Sequence, residues 1–179
     1  MREFNIADSA EQILLRRAES LARETVEERA EESTSVLLFR IADEWYAIRV
    51  GDVREIFQEY ELTAIPCLPP YVLGVVNVRG EILSVTDPAV LMQLGSIEAE
   101  GTTQPPAIVI TDGDIATAIV VDEVGDIAEV SADMIEGPIS TIDRTQGAFI
   151  SASICVDDVM VGLMNTARVL EPIVVGPKH

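Results

Sequence analysis

Two segments of this chain repeat each other at constant offsets. Ile48, Val50, Val53, Glu55 and Ile56 recur 71 positions later as Ile119, Val121, Val124, Asp126 and Ile127. Leu83, Val85, Asp87 and Ala89 recur at an offset of 78 as Val161, Leu163, Asn165 and Ala167. A repeated unit of a strand pair, a third strand, a hairpin and a short helix can bury its apolar surface by packing against its copy. The repeat therefore predicts a mainly β fold: two small five-stranded β-barrel subdomains related by pseudo-twofold symmetry, each closed so that its edges are not exposed.

The local pattern from Ser35 onward agrees. Short runs rich in Val, Ile, Leu and Phe alternate with Gly, Pro and Asp pairs. Residues 36–42 and 45–50 flank Asp43-Glu44, and residues 74–78 and 81–85 flank Arg79-Gly80, which predicts two hairpins with two-residue turns. Asp112, Gly113 and Asp114 form a further turn, as do Asp157 and Asp158. Residues 87–94 read as a short helix capped by Asp87, with Pro88 at the first position, where its missing N–H costs nothing. Pro66, Pro69 and Pro70 stiffen the approach to Gly74, a position suited to close backbone contact. The unpatterned stretch 95–106 reads as a surface linker between a first barrel at about 35–94 and a second at about 107–170, with a tail over 172–179.

Ahead of the β region, residues 1–34 hold a predicted amphipathic helix, strongest over 9–32. Leu14, Ala18, Leu21 and Thr25 make a narrow stripe, and Ser9 with Gln12 has capping-box spacing. The stripe fits either docking on the chain's own barrels or pairing with a partner helix.

Composition removes most chemistry. His179 is the only histidine and Lys178 the only lysine, both at the far carboxyl end. A histidine-based triad or zinc site, a Schiff-base lysine and a phosphate-loop lysine therefore have no internal candidate. The carboxylates around Gly113 and at Asp122, Glu123 and Asp126 lack the ligand series of a calcium loop, so no metal or cofactor is expected. A formal charge of −19 repels phosphate backbones and anionic headgroups, which argues against nucleic acid and membrane surfaces as partners. With no apolar run near the roughly 20 residues of a membrane span and no signal-like start, a cytoplasmic location is expected. Cys67 and Cys155 read as reduced, core-like thiols.

The stretch YVLGVVNVRGEILSVTD, from Tyr71 to Asp87, resembles the signature of the CheW family of chemotaxis adaptors. Upstream, Asp43 to Ile48 resembles that family's first hairpin, Val53 to Ile56 its next strand, and Ile65-Pro66 with Pro69-Pro70 its proline bridge. The resemblance spans about residues 35–171. Pro88 stands where the family has leucine, and Asn165-Thr166 where its second half repeats Asp-Leu. The resemblance implies a non-catalytic scaffold joining the regulatory domain of a CheA-type histidine kinase to the cytoplasmic tip of a chemoreceptor. An adaptor of a pilus-type or alternative chemosensory pathway, recruiting its partner through the first helix, is the alternative, and a divalent-ion-dependent enzyme or small-ligand binder a distant third. It further implies a receptor-binding surface of Val53, Glu55, Gly74, Asn77 and Arg79, with Glu55 and Arg79 as an orienting pair. Val53 is open to two readings, exposed contact or core.

Overall fold

A computed structural model describes residues 33–95, 104–137 and 144–175. The expected amino-terminal helix, its capping box and most of the linker lie outside the described residues.

Eleven strands and three α-helices appear among the described residues: β1 (Ser33–Ile41), β2 (Glu44–Arg49), β3 (Val53–Phe57), β4 (Val72–Val78), β5 (Glu81–Thr86), α1 (Pro88–Leu91), β6 (Ala107–Asp112), β7 (Ile115–Val120), β8 (Glu123–Ser131), β9 (Ile135–Glu136), α2 (Arg144–Gly147), β10 (Ile150–Val156), β11 (Val159–Met164) and α3 (Thr166–Val175). They form a six-stranded sheet ordered β8-β1-β2-β11-β10-β9 and a five-stranded sheet ordered β3-β6-β7-β5-β4.

The duplication holds down to single residue pairs. β10 pairs with β11 as β4 pairs with β5, including a bulge at Ile150/Ala152 that repeats the one at Val72/Gly74. Val85 lies parallel to Ala118, and the counterpart residues Leu163 and Ala47 are paired the same way. Thr63 bridges to Val75, and Glu136 of β9 pairs with Ser153, which is the counterpart of Val75.

Strand exchange corrects the expected division. The first barrel does not occupy about 35–94 nor the second about 107–170, because β6 and β7 complete the sheet of β3, β4 and β5, while β1 and β2 join β8, β10 and β11. The repeat predicts which strands match but not which copy each one pairs with. Both sheets also have an open hydrogen-bonding order, so the expected closed barrels are not formed by strand pairing among the described residues.

Exchange explains why the strands are apolar on both faces. Along β1, Leu37, Phe39 and Ile41 enter a central core with Ile48, Ile108, Ile110 and Ile119, so both sheets contribute to it. Val36 and Leu38 face the other way, into a core with Val130, Ile154 and Leu163. β6 splits likewise, with Ile108 and Ile110 central and Ala107 and Val109 in a third core with Val76, Leu83 and Val85. A strand buried on both sides reads as a continuous apolar run rather than an alternation.

Several local expectations need adjustment. The first hairpin turns at Ala42-Asp43 rather than Asp43-Glu44, since Ile41 pairs with Glu44. Ala42 takes φ 53, held by Asp122 Oδ2 accepting from its N–H at 2.6 Å and by Arg40 donating to its carbonyl at 2.9 Å. Similarly, Asp112 is the last strand residue and the turn there is Gly113-Asp114. Asp87 does cap α1, accepting from Ala89 N and Val90 N at 2.9 and 3.3 Å. That helix ends at Leu91, short of the expected 94. α3 continues through Pro172 to Val175, where a tail was expected, and the Pro172 carbonyl accepts the Tyr71 hydroxyl at 3.3 Å. Cys67 is exposed rather than core-like. It lies beyond β3 in the proline-containing connection, where Ile65 and Leu68 are exposed as well, because apolar residues outside a regular element have no common face to bury.

Candidate functional site

β3 and β4 are the two edges of the five-stranded sheet, yet their ends meet. Arg79, on the β4–β5 turn, donates through Nε to Glu55 Oε2 on β3 at 3.0 Å, and Arg54 of β3 donates to Glu81 Oε2 of β5 at 2.8 Å. Arg54 Nε is also 3.8 Å from Glu55 Oε1. The sheet therefore curls until its edges face one another across a seam bridged by side chains instead of backbone hydrogen bonds.

The turn that presents Arg79 is tightly specified. Arg79 and Gly80 both have positive φ, 54 and 91, as a type I′ hairpin requires. Glycine adopts this conformation freely, whereas arginine needs support. Asn77 supplies it by accepting the Gly80 N–H on its Oδ1 at 2.8 Å. The guanidinium is then held out from the surface, with 84% of the Arg79 side chain exposed against 21% for Glu55. Arg54, Glu55, Val78, Arg79 and Glu81 line a shallow depression of about 370 Å³ there.

Of the five residues expected at this surface, the fold brings Glu55, Asn77 and Arg79 together. Val53 is half-buried against the central core. Gly74 is buried, and a Cβ on it would stand 2.4 Å from the Thr63 carbonyl oxygen. That is the close backbone approach its sequence position suggested, and Thr63 and Val75 exchange two backbone hydrogen bonds there. Sequence reasoning missed Arg54 and Glu81. Arg54 sits between two residues it did select and Glu81 two positions beyond a third, but nothing in the sequence says that β3 lies opposite the β4–β5 turn.

Ser151 Oγ donates to the Leu163 carbonyl at 3.1 Å, and among the described residues no group of three or more His, Cys, Asp or Glu side chains is placed to hold a metal. No described helix is long and apolar enough to cross a membrane. What the site offers is a tight turn, exposed charge and a half-buried apolar strand.

Residues 35–173 match the family model described as CheW-like domain. The probable chemotaxis protein CheW of Rhizobium etli is 30% identical over 129 residues, covering 72% of this chain and 82% of that protein. The chemotaxis protein CheW of Bacillus subtilis is 26% identical over 136 residues, covering 76% and 86%. Among solved structures, the scaffolding protein TtCheW from Thermoanaerobacter tengcongensis aligns with a TM-score of 0.64 at 26% identity, covering 74% of this chain and 88% of that one.

Proposed function

This chain belongs to the CheW-like domain family, and from that premise we propose that it is a chemotaxis adaptor: a non-catalytic cytoplasmic scaffold coupling chemoreceptor tips to a CheA-type histidine kinase. The observation that carries the receptor part is the bridged seam, where Arg79 stands on a turn stiffened by Asn77 and is oriented by Glu55. A charge held in one direction by a carboxylate and a tight turn loses little conformational freedom when a partner engages it. Glu55, Asn77 and Arg79 meet the helical receptor tip in this reading. Val53 and Gly74 act behind them, one anchoring β3 on the core and the other fixing β4 under the Thr63 segment.

Coupling then needs no chemistry in this chain. A scaffold shifts the kinase between on and off states by no more than the difference in its affinity for the two. The test is reconstitution of a receptor cytoplasmic fragment and a CheA-type kinase from one cell with and without this protein. Co-sedimentation of kinase with receptor only when the chain is present is expected; kinase recruitment indifferent to its presence would refute the reading.

A further inference from the structure

The offsets that relate the two halves also locate a second seam, between β8 and the β10–β11 turn. They place Gly125 at Arg54, Asp126 at Glu55, Asp157 at Arg79 and Val159 at Glu81. The turn is conserved in shape, Asp157 and Asp158 having φ 49 and 63 where Arg79 and Gly80 have 54 and 91. Its chemistry is inverted. Both bridging arginines are gone, two carboxylates occupy the positions of the Glu55–Arg79 pair, and no ion pair among the described residues reaches Asp126 or Asp157.

The gap so left is lined by these residues and floored by an indole. Trp45 stands where the first seam has Ala116, and Gly125 makes room for it, since a Cβ there would be 2.8 Å from the ring. The resulting groove has a volume of about 420 Å³ and includes Trp45, Asp126, Asp157 and the half-exposed Val159. At its rim Glu123 is taken by Arg40 at 3.2 Å.

We propose that this groove docks a segment of a partner protein that presents an arginine, with the guanidinium held by Asp126 and Asp157 and its aliphatic stem lying on Trp45 and Val159. Two observations select that occupant. The first seam shows what such a gap takes, namely a guanidinium against the carboxylate on the third strand. The second seam keeps the carboxylate, replaces the arginine with a second carboxylate, and adds an aromatic face of the kind that stacks on a planar cation. Lysine matches the charge but not the planar contact. The proposal stands independently of the receptor reading of the first seam.

Trp45 is the single tryptophan, so its emission reports on the groove alone. The probe is the blocked tripeptide acetyl-valyl-arginyl-glycinamide, a copy of residues 78–80, titrated beside its neutral citrulline counterpart. A saturable change in Trp45 emission with the arginine peptide is expected. It should be absent with citrulline and weakened at least tenfold in Asp126→Asn/Asp157→Asn, while Asp112→Asn/Asp114→Asn binds like the unchanged protein. Should the groove double variant not fold, Asp157→Asn alone, on an exposed turn, carries the comparison. No saturable response to the arginine peptide, an equal response to citrulline, or equal weakening by the distant pair of substitutions would each overturn the proposal.

Discussion

Glu55 and Arg79 form an ion pair at 3.0 Å although their strands lie at opposite edges of one sheet. The pair is therefore tertiary in origin, and it sets an exposed guanidinium in a fixed direction. Arg79 is 84% exposed, and a pair this open contributes under ~1 kcal/mol to stability. Arg79→Glu is expected to leave the melting temperature nearly unchanged and to weaken binding to a receptor cytoplasmic fragment on the order of tenfold. Titration calorimetry decides it: undiminished affinity in the variant removes Arg79 from the interface.

Gly74 is a position that tolerates no side chain. With φ 154 and the Thr63 carbonyl oxygen 2.4 Å from the place of a Cβ, alanine would push the Thr63 segment off β4 and break the two backbone bonds between Thr63 and Val75. Gly74→Ala should cost about 2–4 kcal/mol. Gly51→Ala, with nothing within 4 Å, should be nearly neutral. Urea midpoints compare the two, and equal midpoints would contradict the close approach.

Tyr46 predicts the alkaline behaviour. Burial raises its hydroxyl above the usual tyrosine range of about 10, helped by Glu44, whose Oε2 accepts from it at 2.6 Å; Gln146, donating to the hydroxyl at 2.7 Å, acts the other way. A group whose folded pKa lies above its unfolded value contributes its full stability below the unfolded value and loses it as pH rises past that point. Stability should accordingly fall from about pH 10 upward. Tyr60, half-buried and also shifted upward by that burial, adds to the fall. Tyr46→Phe should lower stability at pH 7 by about 1 kcal/mol through lost hydrogen bonds and should flatten the alkaline decline. Denaturant midpoints at pH 8 to 11 test it; an unchanged slope in the variant would count against the assignment.

Ser153 carries a fully buried hydroxyl without a hydrogen-bond partner among the described residues. Its counterpart in the first half is Val75, so the position does not require a polar group. Ser153→Ala removes an unsatisfied donor and should stabilise by up to about 1–2 kcal/mol. A loss of stability in thermal melts would mean that the hydroxyl is satisfied after all.

Much of the fold is legible in the sequence. Repeat offsets of 71 and 78 gave the matching strands, and turn residues gave the Arg79-Gly80 and Asp157-Asp158 hairpins, because strand periodicity and positive-φ turns are local properties of the chain. The cap at Asp87 followed from a side chain that can reach backbone donors two and three residues on. Even the need for glycine at 74 was visible, although its cause, Thr63, was not.

Partner choice between copies was not legible. β3 of the first half could extend its own hairpin or the other half's, and nothing in its five residues separates these, because the two hairpins present nearly the same apolar edge. Packing settles it: exchanging the third strands lets Ile48, Ile108 and Ile119 share one central core. Everything at the seams follows from that exchange, including the Arg54–Glu81 pair and the open gap over Trp45. Local pattern was enough for most of the strands, for the Arg79-Gly80 and Asp157-Asp158 turns and for the family resemblance, whereas packing of the two sheets settled which edges face each other. Side chains from distant positions meet only once two whole sheets have buried their shared face.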